Sequence, residues 1–114
     1  MRIKRFEDLD AWKLSQDLAV QVYQLHDHVK DYGFKDQIQR ASVSISNNVA
    51  EGFDRNYQKE FQRFLYIGKG SCGEVKSIAY LGNRLGYLNL EQRDQLLSQC
   101  NRVSGCIYGL IRSL

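Results

Sequence analysis

The sequence predicts an all-α fold, an up-down-up-down antiparallel four-helix bundle, and three observations carry that expectation. Apolar residues recur three and four positions apart in four successive segments, the spacing that lines one face of an α-helix. The 114 residues include no proline, which would interrupt long helices, and no segment sustains the alternation of a half-buried strand. The connections are short, and short connections set neighbouring helices antiparallel. A chain of this length builds one domain, residues 1–114, around one modest core.

Helix one is expected from about Leu9 to Val29, with Ala11, Leu14, Leu18, Val22, Leu25 and Val29 as its core stripe and Asp8 as N-cap. Trp12, Ala19 and Tyr23 flank that stripe and widen the apolar face, which makes Trp12 and Tyr23 candidate contacts with another subunit. Asp31-Tyr32-Gly33 breaks the pattern, and helix two follows from about Lys35 to Gly52. Ile38, Ala41, Ile45 and Val49 form its core stripe, while Val43 and Ala50 make the other side apolar as well, which favours oligomerisation. Helix three should run from about Tyr57 to Leu85, about 43 Å at 1.5 Å per residue. Its seam, Phe61, Phe64, Gly68, Cys72, Val75, Ala79 and Gly82, starts with rings and turns small, so a facing helix can come close. Gly86 is the helix stop, and Asn89 with Gln92 is a capping box for helix four. Leu96, Cys100, Val103, Ile107, Leu110 and Leu114 are its core positions.

Composition is that of an ordinary globular chain, 43% hydrophobic and 25% charged, with a formal net charge of +3. No stretch approaches the length of a membrane span, and the basic start leads into acidic residues where a signal peptide would be apolar. A cytoplasmic protein with no membrane association is expected. The three cysteines form no C-x-x-C pair and read as reduced, packed residues. Charge is unevenly distributed: residues 1–57 hold 8 basic and 9 acidic side chains, residues 58–114 hold 8 and 4.

Several chemistries lack their companions. Gly68-Lys69-Gly70-Ser71-Cys72-Gly73-Glu74-Val75 satisfies the kinase-type G-x-G-x-x-G-x-V pattern, but that loop needs flanking strands and separate H-R-D and D-F-G motifs, which are absent. The helical seam passes through the same glycines. Bundle metal sites use E-x-x-H pairs, and the chain contains none; His26 and His28, two apart, cannot share an ion from one helix face. His26 reads instead as a packed or capping residue. Ser44 and Ser71 lack a nucleophile elbow. No catalytic residue, cofactor or metal is expected, and the protein is read as a non-enzyme.

Two polar features remain. Gln37, Arg40, Ser44, Asn48, Glu51 and Arg55 form a stripe beside the apolar face of helix two, where neighbouring helices should crowd it from water; with Ser71 and Glu74 it makes a candidate polar network or interface, Arg40 pairing with Glu51 or Glu74. The outer face of helix three carries Lys59, Arg63, Lys69, Lys76 and Arg84 interleaved with Tyr66 and Tyr80, with Glu60 and Glu74 to one flank. Cations neutralise phosphates and tyrosine rings stack on unpaired bases, so these seven residues are the candidate nucleic-acid contacts.

The segment from Gln37 to Gly52 resembles the Q-I-R-R-A-x-x-S-I-x-x-N-I-A-E-G signature of the four-helix-bundle proteins encoded in 23S rRNA intervening sequences. The likeness continues through Phe6-x-x-Leu9-x-x-Trp12, Lys59-Glu60-Phe61-x-x-Phe64-Leu65, Gly70-Ser71-x-x-Glu74 and Leu85-Gly86-Tyr87-Leu88. The resemblance implies an all-α bundle assembled as a ring-like homopentamer, with no settled activity. More distantly the chain resembles the nucleic-acid-binding accessory proteins of diversity-generating retroelements. The combined expectation is a non-enzymatic, homo-oligomeric helical bundle that binds RNA or DNA, structured RNA foremost, with low sequence specificity through its basic face. The alternative is a protein-interaction scaffold or accessory subunit without nucleic-acid contact, in which Trp12, Tyr23 and the polar stripe matter more than helix three.

Overall fold

Each apolar stripe becomes a helix in the computed structural model, which describes residues 3–114. α1 spans Asp10–His26, α2 Tyr32–Asp54, α3 Gln58–Arg84 and α4 Leu90–Arg112, and a 3-10 turn, Phe6–Asp8, precedes α1. α2 packs on α1 and α3, and α4 packs on α3 and α1, so the helices touch in a closed ring. Leu18, Ile38, Ile45, Leu65, Leu96 and Ile107 are fully buried inside it. All seven expected seam residues of α3 are buried. On α4, Ile111 reaches the core, while Leu110 and Leu114 pack half-buried against it.

The small seam residues set how closely α2 and α3 approach. A Cβ added at Gly52 would lie 2.6 Å from Phe64 Cβ, one at Gly68 3.5 Å from the Ile45 carbonyl oxygen, and one at Gly82 2.9 Å from Phe34 Cζ. Positions 52, 45 and 34 of α2 therefore meet positions 64, 68 and 82 of α3. The buried serines fit between helices because their hydroxyls bond locally: Ser15 donates to the Ala11 carbonyl and Ser42 to that of Gln39.

Three boundaries differ from the periodicity. α1 ends at His26, although Val29 beyond it is still buried and so continued the apolar spacing. α2 begins at Tyr32 because Asp31 is its N-cap: Phe34 N–H donates to Asp31 Oδ1 at 3.1 Å, and the Tyr87 hydroxyl donates to Oδ2 at 2.8 Å. Asp8 does not cap α1; it lies in the 3-10 turn, and Leu9, 4% exposed, takes the cap position with no side-chain bond. Burying Leu9 and packing Phe6 against Trp12, with ring centres 5.4 Å apart and planes tilted by 60°, decides that entry in place of a polar cap.

The other ends follow local chemistry. Gly86 has φ +82°, Tyr87 N–H donates to the Gly82 carbonyl at 2.8 Å and Gly86 N–H to that of Asn83 at 3.1 Å, a complete Schellman motif closing α3. Asn89 and Gln92 form the reciprocal capping box of α4 at 2.8 and 2.9 Å. Asn56, at φ 64°, makes the tight turn between α2 and α3, a left-handed conformation that asparagine tolerates better than most side chains.

Candidate functional site

The glycines that match a phosphate loop lie inside α3, which is continuous from Gln58 to Arg84. Interior helix amides are engaged with carbonyls one turn back, so they cannot cradle a phosphate. Gly68 faces α2, whereas Gly70 and Gly73 face open space.

Only the middle of the α2 polar stripe forms a network. Asn48 Nδ2 donates to the Ser44 carbonyl at 2.8 Å and to Ser44 Oγ at 3.0 Å; Ser44 and Ser71 Oγ are 3.0 Å apart across the helix pair, and Ser71 donates to the Ile67 carbonyl at 3.3 Å. This chain of hydrogen bonds runs from α2 to α3. Its longer members are in water. Arg40 pairs with Asp36 at 2.9 Å, not with Glu51 or Glu74, and its side chain is 80% exposed. Glu51 pairs with Arg55 at 3.0 Å, and Gln37 and Glu74 are exposed. The expectation of a half-buried network thus holds for serine and asparagine and fails for the charged side chains. Long chains one turn apart on the same helix reach each other more readily than they reach across the groove.

The proposed oligomer contacts also separate. Trp12 is half-buried against Phe6 of its own chain, while Tyr23 is exposed and lines a shallow groove of about 420 Å³ with Arg40, Val43, Ser44, Asn47, Asn48 and Glu51.

α3 presents two unlike flanks. Toward α4, Gln62 donates to the Ile111 carbonyl, Lys69 Nζ lies 5.8 Å from the Tyr108 ring centre, and the Arg93 guanidinium lies 5.4 Å from that of Tyr80. Lys76, Tyr66 and Arg84 share this side by helical spacing, and Arg112 of α4 lies 6.0 Å from the Tyr108 ring. The carboxylates nearby are occupied or point elsewhere: Asp94 pairs with Arg93 at 2.9 Å, Glu91 lines a groove with Gln21 of α1, and Glu74 lines one with Gln37 of α2. Toward α2 the flank exposes three apolar side chains, Ile67, Leu81 and Leu85, beside Glu74.

At the start of α3 the expected positive charge is reduced. Arg63 donates to both oxygens of Glu60, at 2.7 and 3.3 Å, and lies over the Phe64 ring at 4.5 Å. That hydrogen bond holds the Glu60 carboxyl below its usual range and raises the guanidinium. Lys59 is exposed beside them. Sequence reasoning missed Arg93, Tyr108 and Arg112. The i, i+4 spacing of Tyr108 and Arg112 placed them on one side of α4, but which side met α3 depends on helix rotation.

His26, Cys72 and Cys100 are enclosed. His26 is fully buried, its Nδ1–H donates to the Val22 carbonyl at 2.7 Å, and its Nε2 has no hydrogen-bond partner among the described residues. Burial lowers its pKa, and His28 and Lys35 nearby act in the same direction. Burial pushes the Cys72 thiol up to about 11 and the Cys100 thiol up to about 12. Among the described residues no three His, Cys, Asp or Glu side chains gather as a metal site, and no helix is long and apolar enough to cross a membrane.

The chain folds as an all-α bundle of four helices with its charged groups on the outer helix faces. The chain belongs to the 23S rRNA-intervening sequence protein family, whose family model matches residues 7–109. A crystal structure described as a protein of unknown function from the S23 ribosomal protein family of Bacteroides thetaiotaomicron VPI-5482 has a similar fold. Its TM-score is 0.83 at 21% identity, covering 89% of this chain and 97% of that one. No curated protein matches the chain.

Proposed function

We propose that this protein is a non-enzymatic, homo-oligomeric, up-down-up-down bundle that binds nucleic acid, structured RNA foremost, through the face shared by α3 and α4. The observation that carries this reading is the juxtaposition of Lys69 and Arg112 with the exposed Tyr108 ring, with Lys76 and Arg84 on the same side of α3 by helical spacing, on a flank where the neighbouring carboxylate is already paired. Contacts of this kind go to phosphates, so low sequence specificity follows. The reverse order of the α2 and α3 contacts supports antiparallel helices. The exposed Ile67, Leu81 and Leu85, together with the Tyr23 groove, support self-association on the flank away from the basic one.

Binding to a structured RNA fragment, followed by fluorescence anisotropy across a salt series, tests the reading. Four cations each meeting one phosphate give a slope of log affinity against log salt of about −3 to −4 per subunit. Lys69→Glu, Lys76→Glu and Arg112→Glu together should abolish binding while leaving the helical circular-dichroism spectrum unchanged. Undiminished binding by the folded triple variant would reject this surface. The second reading, an accessory subunit for another protein, rests on the same exposed apolar side chains; a partner that stays bound after nuclease treatment would favour it.

A further inference from the structure

We infer that Tyr80 and Tyr108 are stacking platforms for unpaired bases, so that the α3/α4 face takes single-stranded segments, such as the loops of a folded RNA, in preference to duplex. This rests on the nucleic-acid reading above and narrows it to one form of the ligand.

The rings are exposed, Tyr80 by 50% and Tyr108 by 46%, and neither is part of the core. Each is already held by cations. Arg93, 5.4 Å from the Tyr80 ring centre, is itself fixed by hydrogen bonds to Asp94 at 2.9 and 3.0 Å and to Asn83 at 3.4 Å. Tyr108 has Lys69 at 5.8 Å and Arg112 at 6.0 Å. A ring restrained before binding loses less side-chain freedom when a base stacks on it. With its guanidinium engaged by Asp94 and Asn83, Arg93 serves Tyr80 more than it serves a phosphate.

Ring and charge alternate along the face. Lys69 stands beside Tyr108, Lys76 lies about 10 Å further along α3, and Tyr80 about 6 Å beyond that, at 1.5 Å per residue. A single strand offers the matching pattern, a continuous phosphate backbone with bases free to turn outward. A duplex keeps its base faces inside its own stack, so it meets the lysines and leaves the rings without a partner.

The test compares a labelled single-stranded oligonucleotide of mixed sequence with the same strand annealed to its complement. Wild-type protein should prefer the single strand. Tyr80→Leu and Tyr108→Leu, which keep bulk and remove the ring, should each weaken single-strand binding about tenfold without changing the salt slope. Tyr80→Phe and Tyr108→Phe should bind as wild type, and duplex binding should be indifferent to all four changes. Equal wild-type affinity for strand and duplex, or leucine variants that bind the strand as wild type does, would overturn the stacking inference while leaving the charged surface standing. Absence of salt-dependent binding to either ligand would bring down the nucleic-acid reading itself. The wild-type comparison needs no variant, so misfolding of a leucine substitution does not protect the proposal.

Discussion

Replacing Gly52 with alanine adds one methyl group where α2 crosses α3. A Cβ at that position lies 2.6 Å from Phe64 Cβ, 3.2 Å from Phe61 Cδ1 and 3.3 Å from the Phe61 carbonyl oxygen. The first contact decides the outcome, because a Cβ is fixed to its backbone and cannot swing aside. Relief requires α2 and α3 to separate along a seam where Ser44 also meets Ser71 and Gly68 meets Ile45. Overpacking costs about 1–3 kcal/mol, and overlap with an immobile atom places this case in the upper part, about 2–3 kcal/mol. The better helix propensity of alanine offsets about 1 kcal/mol, leaving a net loss of about 1–2 kcal/mol. At about 4 °C per kcal/mol for a domain of this size, Tm should fall by about 4–8 °C. Gly105→Ala is the control: nothing lies within 4 Å of a Cβ there, so propensity acts alone. That variant should gain up to about 1 kcal/mol. Thermal unfolding followed by far-ultraviolet circular dichroism reads both. A Gly52→Ala protein melting at or above wild type, beside a stabilised Gly105→Ala, would refute the close crossing.

Two further outcomes follow from buried groups. His26 has a lowered folded pKa, so the unfolded chain binds its proton first: stability is full above about pH 6.5 and falls as pH drops from there toward the folded value. Asp31, held low by the Phe34 amide and the Tyr87 hydroxyl, contributes above its unfolded value and loses that contribution only in more acidic solution. Urea titrations at pH 7.5 and pH 5.5 should therefore differ for wild type and converge for His26→Phe; an undiminished difference in that variant would assign the loss to another group. Cys72 and Cys100, buried with thiols raised to about 11 and about 12, should resist iodoacetamide in the native protein, while the half-exposed Cys106 is alkylated first. Mass spectrometry finding Cys100 modified as fast as Cys106 would contradict the packing of α4.

The interior was legible because burial repeats with the helix. Phe61, Gly68, Cys72, Val75 and Ala79 needed only their spacing to be placed, and Gly86 and the Asn89–Gln92 pair signal their roles within a few residues. The start of α2 was less legible: Asp31 caps it and also binds Tyr87, 56 residues away. Surface electrostatics divided along the same line. The i, i+3 pairing of Glu60 with Arg63 lies within one helix turn, yet choosing it over solvent required the Phe64 ring beneath the guanidinium. Arg40 faced several carboxylates by spacing, and only rotamers and the width of the groove select Asp36. The joining of Lys69 to Tyr108 depends on the rotation of two helices about their own axes, a quantity that an apolar stripe defines too coarsely.

The ring of helix contacts also governs how the fold is reached. Three of its four seams join helices adjacent in the chain and close short loops; only the seam between α1 and α4 brings together distant segments. Loop-closure entropy therefore weighs most on that one seam, and a topology of mainly chain-adjacent helix pairs belongs to the fast end of folding rates. With no proline anywhere in the sequence, prolyl isomerisation adds no slow step.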